Sequence, residues 1–181
     1  MERLFNFVAG DAGPWIIEGI KPVIGESLAI AGRLAIIGGE TPLPEGCSWL
    51  LRGVISNERY VTHEEREALR AVQAGLGRGQ SVRAALIPIR KSPAWWALAQ
   101  DERRAVIEEQ SRHIHIGMKY LPAVARRLHH CRDLGEPFDF LTWFEYAAAD
   151  AAAFEELVDL LRMTEEWKYV DREVDIRLSR P

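Results

Sequence analysis

The stretch Phe138-Asp-Phe-Leu-Thr-Trp-Phe-Glu-Tyr146 constrains the fold more than any other part of the chain. Successive residues of a strand point to opposite faces of its sheet. One face therefore carries Phe138, Phe140, Thr142, Phe144 and Tyr146, four of the five aromatic. Leu141 and Trp143 make the other face apolar as well. Such a strand belongs to a sheet covered on both sides. If helices cover one side, then another sheet, a partner chain or a large flat ligand must cover the other.

The neighbouring segments set the order. Val82–Ile89 is a largely apolar run, and Ser92-Pro93 reads as an N-cap followed by proline at the first helical position. A helix is predicted from Pro93 to about Ile116, with a break near Asp101, ended by Gly117 and Pro122. Strands 125–131 and 138–146 follow, joined by the turn 132–137. Asp150 caps a helix whose buried stripe is Phe154, Leu157, Val158 and Leu161, and the strand 167–178 closes the chain. The order from residue 82 is β-α-β-β-α-β, which predicts an α+β fold with a ferredoxin-like C-terminal half, residues 81–181.

The first eighty residues read as a truncated and mostly β copy of that half, of the dimeric α+β barrel type. Short apolar runs at 3–8, 28–37 and 48–55 alternate with Gly- and Pro-rich turns. Thr62 and Glu65 then form a capping box that opens a helix, with Leu69, Val72 and Leu76 on one side. Residues 1–80 and 81–181 are expected to form one compact unit.

Composition excludes several classes. The chain has 181 residues, 48% hydrophobic and 28% charged, with a formal net charge of -4. A chain of this length buries roughly 70% of its unfolded surface, so it needs no metal or disulfide to fold. The acidic balance argues against a nucleic-acid partner. No apolar run is long enough for a membrane span, and no signal-peptide core is visible, so a cytoplasmic location is expected. Cys47 and Cys131 show no zinc or disulfide pattern.

Five histidines, at 63, 113, 115, 129 and 130, are the candidate metal ligands. His129 and His130 are adjacent on a strand and face opposite ways, so they cannot share a metal. His113 and His115 lie roughly 200° apart around a helix and cannot either. No two-histidine site follows, which disfavours zinc hydrolases and non-haem iron oxygenases. A single axial histidine on haem needs no second one, and haem is also a large flat ligand of the kind the sheet calls for.

Three stretches are specific. They are Pro93-Ala-Trp-Trp, the run from His113 through Gly117 and Tyr120 to Tyr146, and Glu166-Trp-Lys-Tyr-Val. Together they resemble the chlorite dismutase family, in particular its short, dimeric bacterial branch. The resemblance covers the C-terminal hundred residues well and the first eighty weakly. It implies one haem b per chain, with His113 as the proximal iron ligand. It further implies that Glu166 accepts a hydrogen bond from the other ring nitrogen, with Lys91 in the same network. Trp96 would pack beside the porphyrin with Trp95 supporting it. Arg126, thirteen residues after His113, would be the distal catalytic arginine, with Leu121 lining the access route above the iron. Strand alternation would send Arg127 away from the pocket.

The implied reaction converts chlorite to chloride and dioxygen through ferric haem, a ferryl intermediate and transient hypochlorite. The shortened N-terminal half favours a homodimer over the pentamers of longer members. The related coproporphyrin decarboxylases typically lack arginine at the distal position. Alternative readings are another haem enzyme of the superfamily, a peroxidase or such a decarboxylase, and a non-catalytic haem-binding protein.

Overall fold

The aromatic strand begins at Phe140. In the computed structural model, which describes residues 3–56, 60–73 and 75–181, β7 (Phe140–Tyr146) pairs with β5 (Arg83–Lys91) and β6 (Ala125–His130). The remaining strands are β1 (Leu4–Gly10), β2 (Trp15–Ile24), β3 (Arg33–Gly38), β4 (Trp49–Ile55) and β8 (Val170–Ser179). All pairings are antiparallel, and they close a barrel in the order β1-β3-β2-β8-β5-β7-β6-β4.

The alternation along β7 decides what lies inside. Leu141 and Trp143 point into the barrel, where they meet Phe7, Trp15, Leu51, Leu86 and Ile176. Trp143 stands edge-on to Trp15, with ring centroids 5.3 Å apart. An eight-stranded barrel is just wide enough for side chains to fill it, and this one is packed rather than hollow. Phe140, Phe144 and Tyr146 point outward under the helix α5 (Ala151–Arg162), which buries Phe154, Leu157, Val158 and Leu161 against them.

Each half of the chain uses one strand order. The N-terminal strands run β4-β1-β3-β2 and the C-terminal strands β8-β5-β7-β6, so each is fourth, first, third, second. The halves join twice in one way, the second strand of one against the fourth of the other. The C-terminal half carries helices on its outer face between its first and second strands and between its third and fourth. In the N-terminal half those two connections are the loops 11–14 and 39–48.

Two sequence readings change here. The barrel interior, lined by the N-terminal strands, covers the second face of β7, so no flat ligand is needed there. The helix-covered face carries the cavity instead. Strand β2 is not legible in the sequence because Gly19 and Pro22 interrupt its period, and its pairing with β8 shifts register twice. In addition, residues 28–32, read as the start of a strand, are irregular.

The long helix predicted from Pro93 is four pieces. They are α2 (Pro93–Ala97), α3 (Gln100–Arg104), a π-helical turn (Ala105–Gln110) and α4 (His113–Met118). Arg112, in the left-handed region at φ 54°, kinks the chain immediately before α4. The strand predicted from Trp167 starts at Val170, because Glu165–Tyr169 form a 3-10 turn. The Thr62–Glu65 capping box is present at the start of α1 (His63–Val72), and Arg104 also pairs with Glu65 at 2.5 Å. Leu76 lies beyond that helix. No described helix is long and apolar enough to cross a membrane.

Candidate cofactor cavity

A cavity of about 1160 Å³, its open mouth included, lies outside the barrel between the C-terminal sheet and the helices. Ile87, Ile89, Leu128, Phe140 and Phe144 line its sheet side, and Val158 and Leu161 of α5 line another wall. Tyr60, Leu69 and Gln73 border it from the first half of the chain. Its predominantly apolar walls suit an organic ligand. Two charged groups, Arg126 and Glu173, and one imidazole, His113, stand out among these walls.

His113 is the first residue of α4, and its place is set from several directions. The π-helical turn ahead of it is a rare element, frequent at functional sites. The Glu108 carboxylate accepts the Ile114 backbone N–H at 2.8 Å, capping the short helix. The Ser111 hydroxyl accepts the Glu166 backbone N–H at 2.8 Å, tying α4 to the turn that carries Glu166. His113 Nδ1 then lies 2.6 Å from Glu166 Oε2, and Lys91 Nζ donates to Glu166 Oε1 at 2.8 Å.

This triad is graded in exposure. The His113 side chain is 31% exposed, whereas Glu166 and Lys91 keep 6% and 1%. The histidine faces open space and its partners are sealed behind it. Burial alone would push the Glu166 carboxyl up, but His113 and Lys91 hold it well below the usual carboxylate range. An ionised Glu166 can only accept, so the network assigns the proton to His113 Nδ1. That leaves Nε2 with no partner among the described residues.

The supporting shell is larger than the sequence suggested. The Lys91 ammonium sits 4.5 Å over the ring of Trp95, which is fully buried, and 5.6 Å over that of Trp167. The Trp167 indole N–H donates to Glu173 at 2.7 Å, and Arg162 clamps the other oxygen of Glu173 at 2.6 and 2.8 Å. One signal for this lies in β8, where Glu173, Asp175 and Arg177 alternate with the core residues Val174, Ile176 and Leu178. Charges on the helix-covered side of a strand require partners there.

Arg126 reaches the cavity from β6, and Arg127 goes the other way, over the ring of Phe5 at 5.6 Å. Among the described residues the Arg126 guanidinium has no acidic partner. Burial pulls its pKa down to about 10, which still leaves it cationic at neutral pH. An unpaired cation in an apolar cavity is costly, and an anion would relieve that cost.

The other histidines are placed elsewhere. His63 and His115 are exposed, with Arg66 donating to the His63 ring at 2.9 Å. His129 is inside the barrel against Phe5 and Phe7, and burial pushes it down to about 4. His130 packs with Trp96 and Phe140. No group of three or more His, Cys, Asp or Glu among the described residues could hold a bare metal ion. A lone imidazole in a large apolar cavity fits a metal carried in its own macrocycle.

The remaining sequence candidates stand outside the cavity wall. Trp96 stacks on the cavity residue Phe140, with ring centroids 6.2 Å apart and planes 16° from parallel, and donates to Asp139 at 3.1 Å. Trp95 lies beneath Lys91. Leu121 is half-buried, in the turn between α4 and β6. Of the seven candidates, His113 and Arg126 line the cavity, Glu166 and Lys91 back the histidine, and Trp95, Trp96 and Leu121 do not reach the lining.

Comparison with known proteins points to one family. The model of the chlorite dismutase family matches residues 48–180. A chlorite dismutase of Ideonella dechloratans is 34% identical over 86 residues, 48% of this chain. The matched part spans only 28% of that relative's length. Among solved structures, the dimeric chlorite dismutase of Nitrobacter winogradskyi is 60% identical with a TM-score of 0.89, covering 97% of this chain and 99% of that one. A mutant chlorite dismutase from Candidatus Nitrospira defluvii is 27% identical with a TM-score of 0.61, covering 75% of this chain and 56% of that one.

Proposed function

The chain belongs to the chlorite dismutase family, and from that premise we propose that it binds one haem b per chain and converts chlorite to chloride and dioxygen. The observation that carries this reading is one apolar cavity holding both a carboxylate-backed histidine and an arginine with no acidic partner among the described residues. We further propose a homodimer, by likeness to the dimeric relative. The ferredoxin-like reading of residues 81–181, and of residues 1–80 as a truncated copy, is supported by their common strand order. The cofactor then belongs mainly to the second half, with Tyr60, Leu69 and Gln73 contributed by the first.

His113 would hold the iron through Nε2. Glu166 keeps the proton on Nδ1, fixes the ring's orientation and makes the imidazole a stronger donor, while Lys91 holds Glu166 in place. Arg126 offers its planar fork of N–H donors to the oxygens of chlorite, and afterwards to hypochlorite, which it keeps from leaving. The apolar walls exclude water and so strengthen that attraction. Haem, once bound, supplies the redox chemistry that takes chlorite to chloride and dioxygen. Trp96 would support the porphyrin through Phe140, and Leu121 would lie on the approach to the cavity.

The direct test is an oxygen electrode. Loaded with haemin, the protein should release dioxygen from chlorite in step with chlorite consumed. Peroxide turnover without dioxygen release would place it among the peroxidases or decarboxylases instead. Rapid loss of the haem to apomyoglobin, with no turnover of either oxidant, would make it a carrier.

Glu166 has its own expected result. Glu166→Gln should raise the iron's reduction potential, because a neutral amide accepts more weakly and leaves His113 a poorer donor. Changes to such outer partners cost about 10–100-fold in metal affinity or activity. An unchanged potential in a variant that keeps its haem would sink the proposed role, and a spectroelectrochemical titration decides it.

A further inference from the structure

Gly117 is buried on α4, one helical turn after His113. The notch left by its missing side chain is filled by the Arg126 guanidinium. An ideal Cβ at 117 would fall 2.7 Å from Cζ and 2.8 Å from Nη2, and closer still to Nη1. Cβ atoms essentially never sit that near another heavy atom, so any side chain here must displace the guanidinium.

The backbone does not account for the glycine. Gly117 is helical and is not one of the positive-φ glycines. At a helical position alanine is the better residue, so glycine costs stability there. The space it leaves is what the fold uses. Among the described residues no side chain hydrogen-bonds the Arg126 head; the hydrogen bond from Gln73 Nε2 goes to the Arg126 backbone carbonyl.

We propose that Gly117 is a positioning residue for anion binding: it forms the seat that holds the Arg126 guanidinium against α4 and so sets its reach into the cavity. The inference rests on the reading of Arg126 as the anion-holding group. It adds that the geometry of this group is set by an absent side chain and not by an ion pair. Without a carboxylate partner, the full charge of Arg126 stays available to an anion. A steric seat orients the cation without neutralising it.

The test is a double-mutant cycle of Gly117→Ala and Arg126→Ala, because coupling between two residues appears as non-additivity. Two quantities are read. One is the affinity of the haem-loaded ferric protein for nitrite, a bent oxyanion that stands in for chlorite, by absorbance titration. The other is the thermal midpoint of the haem-free protein. In the parent background Gly117→Ala should weaken nitrite binding by about tenfold or more, since small misplacements of an orienting group have effects of that size. Its thermal midpoint should not rise. In the Arg126→Ala background, Gly117→Ala should leave nitrite affinity unchanged and raise the midpoint, because only the helix-propensity gain remains.

Equal effects in both backgrounds would overturn the proposal, since Gly117 would then act through the backbone. So would an Arg126→Ala loss of nitrite affinity that Gly117→Ala fails to reproduce in the parent. If Arg126→Ala itself leaves nitrite binding intact, the anion reading of Arg126 falls, and this inference with it. If Gly117→Ala folds only when Arg126 is also alanine, that rescue is the steric coupling itself. If it folds in neither background, the seat is refuted.

Discussion

His113→Ala should yield a folded protein that retains little haem, while His115→Ala should purify with its haem intact. The two residues share one six-residue helix, yet the structure separates them. His113 lines the cavity and hands Nδ1 to Glu166, whereas His115 is exposed on the other side of α4. Loss of the proposed bond to iron should cost far more than the about 10–100-fold attached to an outer partner. Haem content, read from the Soret band against protein concentration, checks it. Equal content in the two variants, or loss confined to His115→Ala, would remove His113 from its proposed role. The substitution also deprives Glu166 and Lys91 of their neighbour, so the haem-free thermal midpoint should be measured alongside.

The second large effect falls on Arg126. Arg126→Ala should keep its haem, lose part of its chlorite-degrading rate and inactivate after fewer turnovers. Charge-assisted hydrogen bonds of this kind contribute roughly 1.5–3 kcal/mol, or about one to two decades in rate or affinity. On the proposed mechanism hypochlorite would escape without the guanidinium and bleach the porphyrin, so methionine added as a trap should protect the variant more than the parent. Arg127→Ala is the control, because its side chain lies over Phe5 and away from the cavity. A defect in Arg127→Ala together with parent-like behaviour of Arg126→Ala would assign the pocket to the wrong arginine.

Several of these features are legible in the amino-acid sequence alone. Period-two alternation along β7 separates Leu141 and Trp143 from Phe140 and Phe144, and along β6 it separates Arg126 from Arg127. The Thr62 capping box and the stripe Phe154, Leu157, Val158, Leu161 are local patterns, and the folded chain carries both. The Glu166 and Lys91 contacts follow only from family resemblance, since no spacing rule joins residues so far apart in sequence.

What stays hidden depends on contacts between distant segments. Alternation says that two faces of β7 are apolar, but not which is closed by the barrel and which opens onto a cavity. The N-terminal strands decide that by filling the interior side. Strand β2 is irregular in sequence and is held in the barrel by β8 and β3, so its partners and not its own residues make it a strand. The long helix breaks because the Glu108 cap, the Arg112 kink and the Ser111–Glu166 tie outweigh the weak local preference to continue. The lack of an acidic partner for Arg126 among the described residues, and the notch at Gly117, are properties of what is not nearby. Propensity and periodicity act over a few residues and settle which way a side chain points. Only the folded chain settles what it meets, because that is fixed by pairings between segments far apart in sequence.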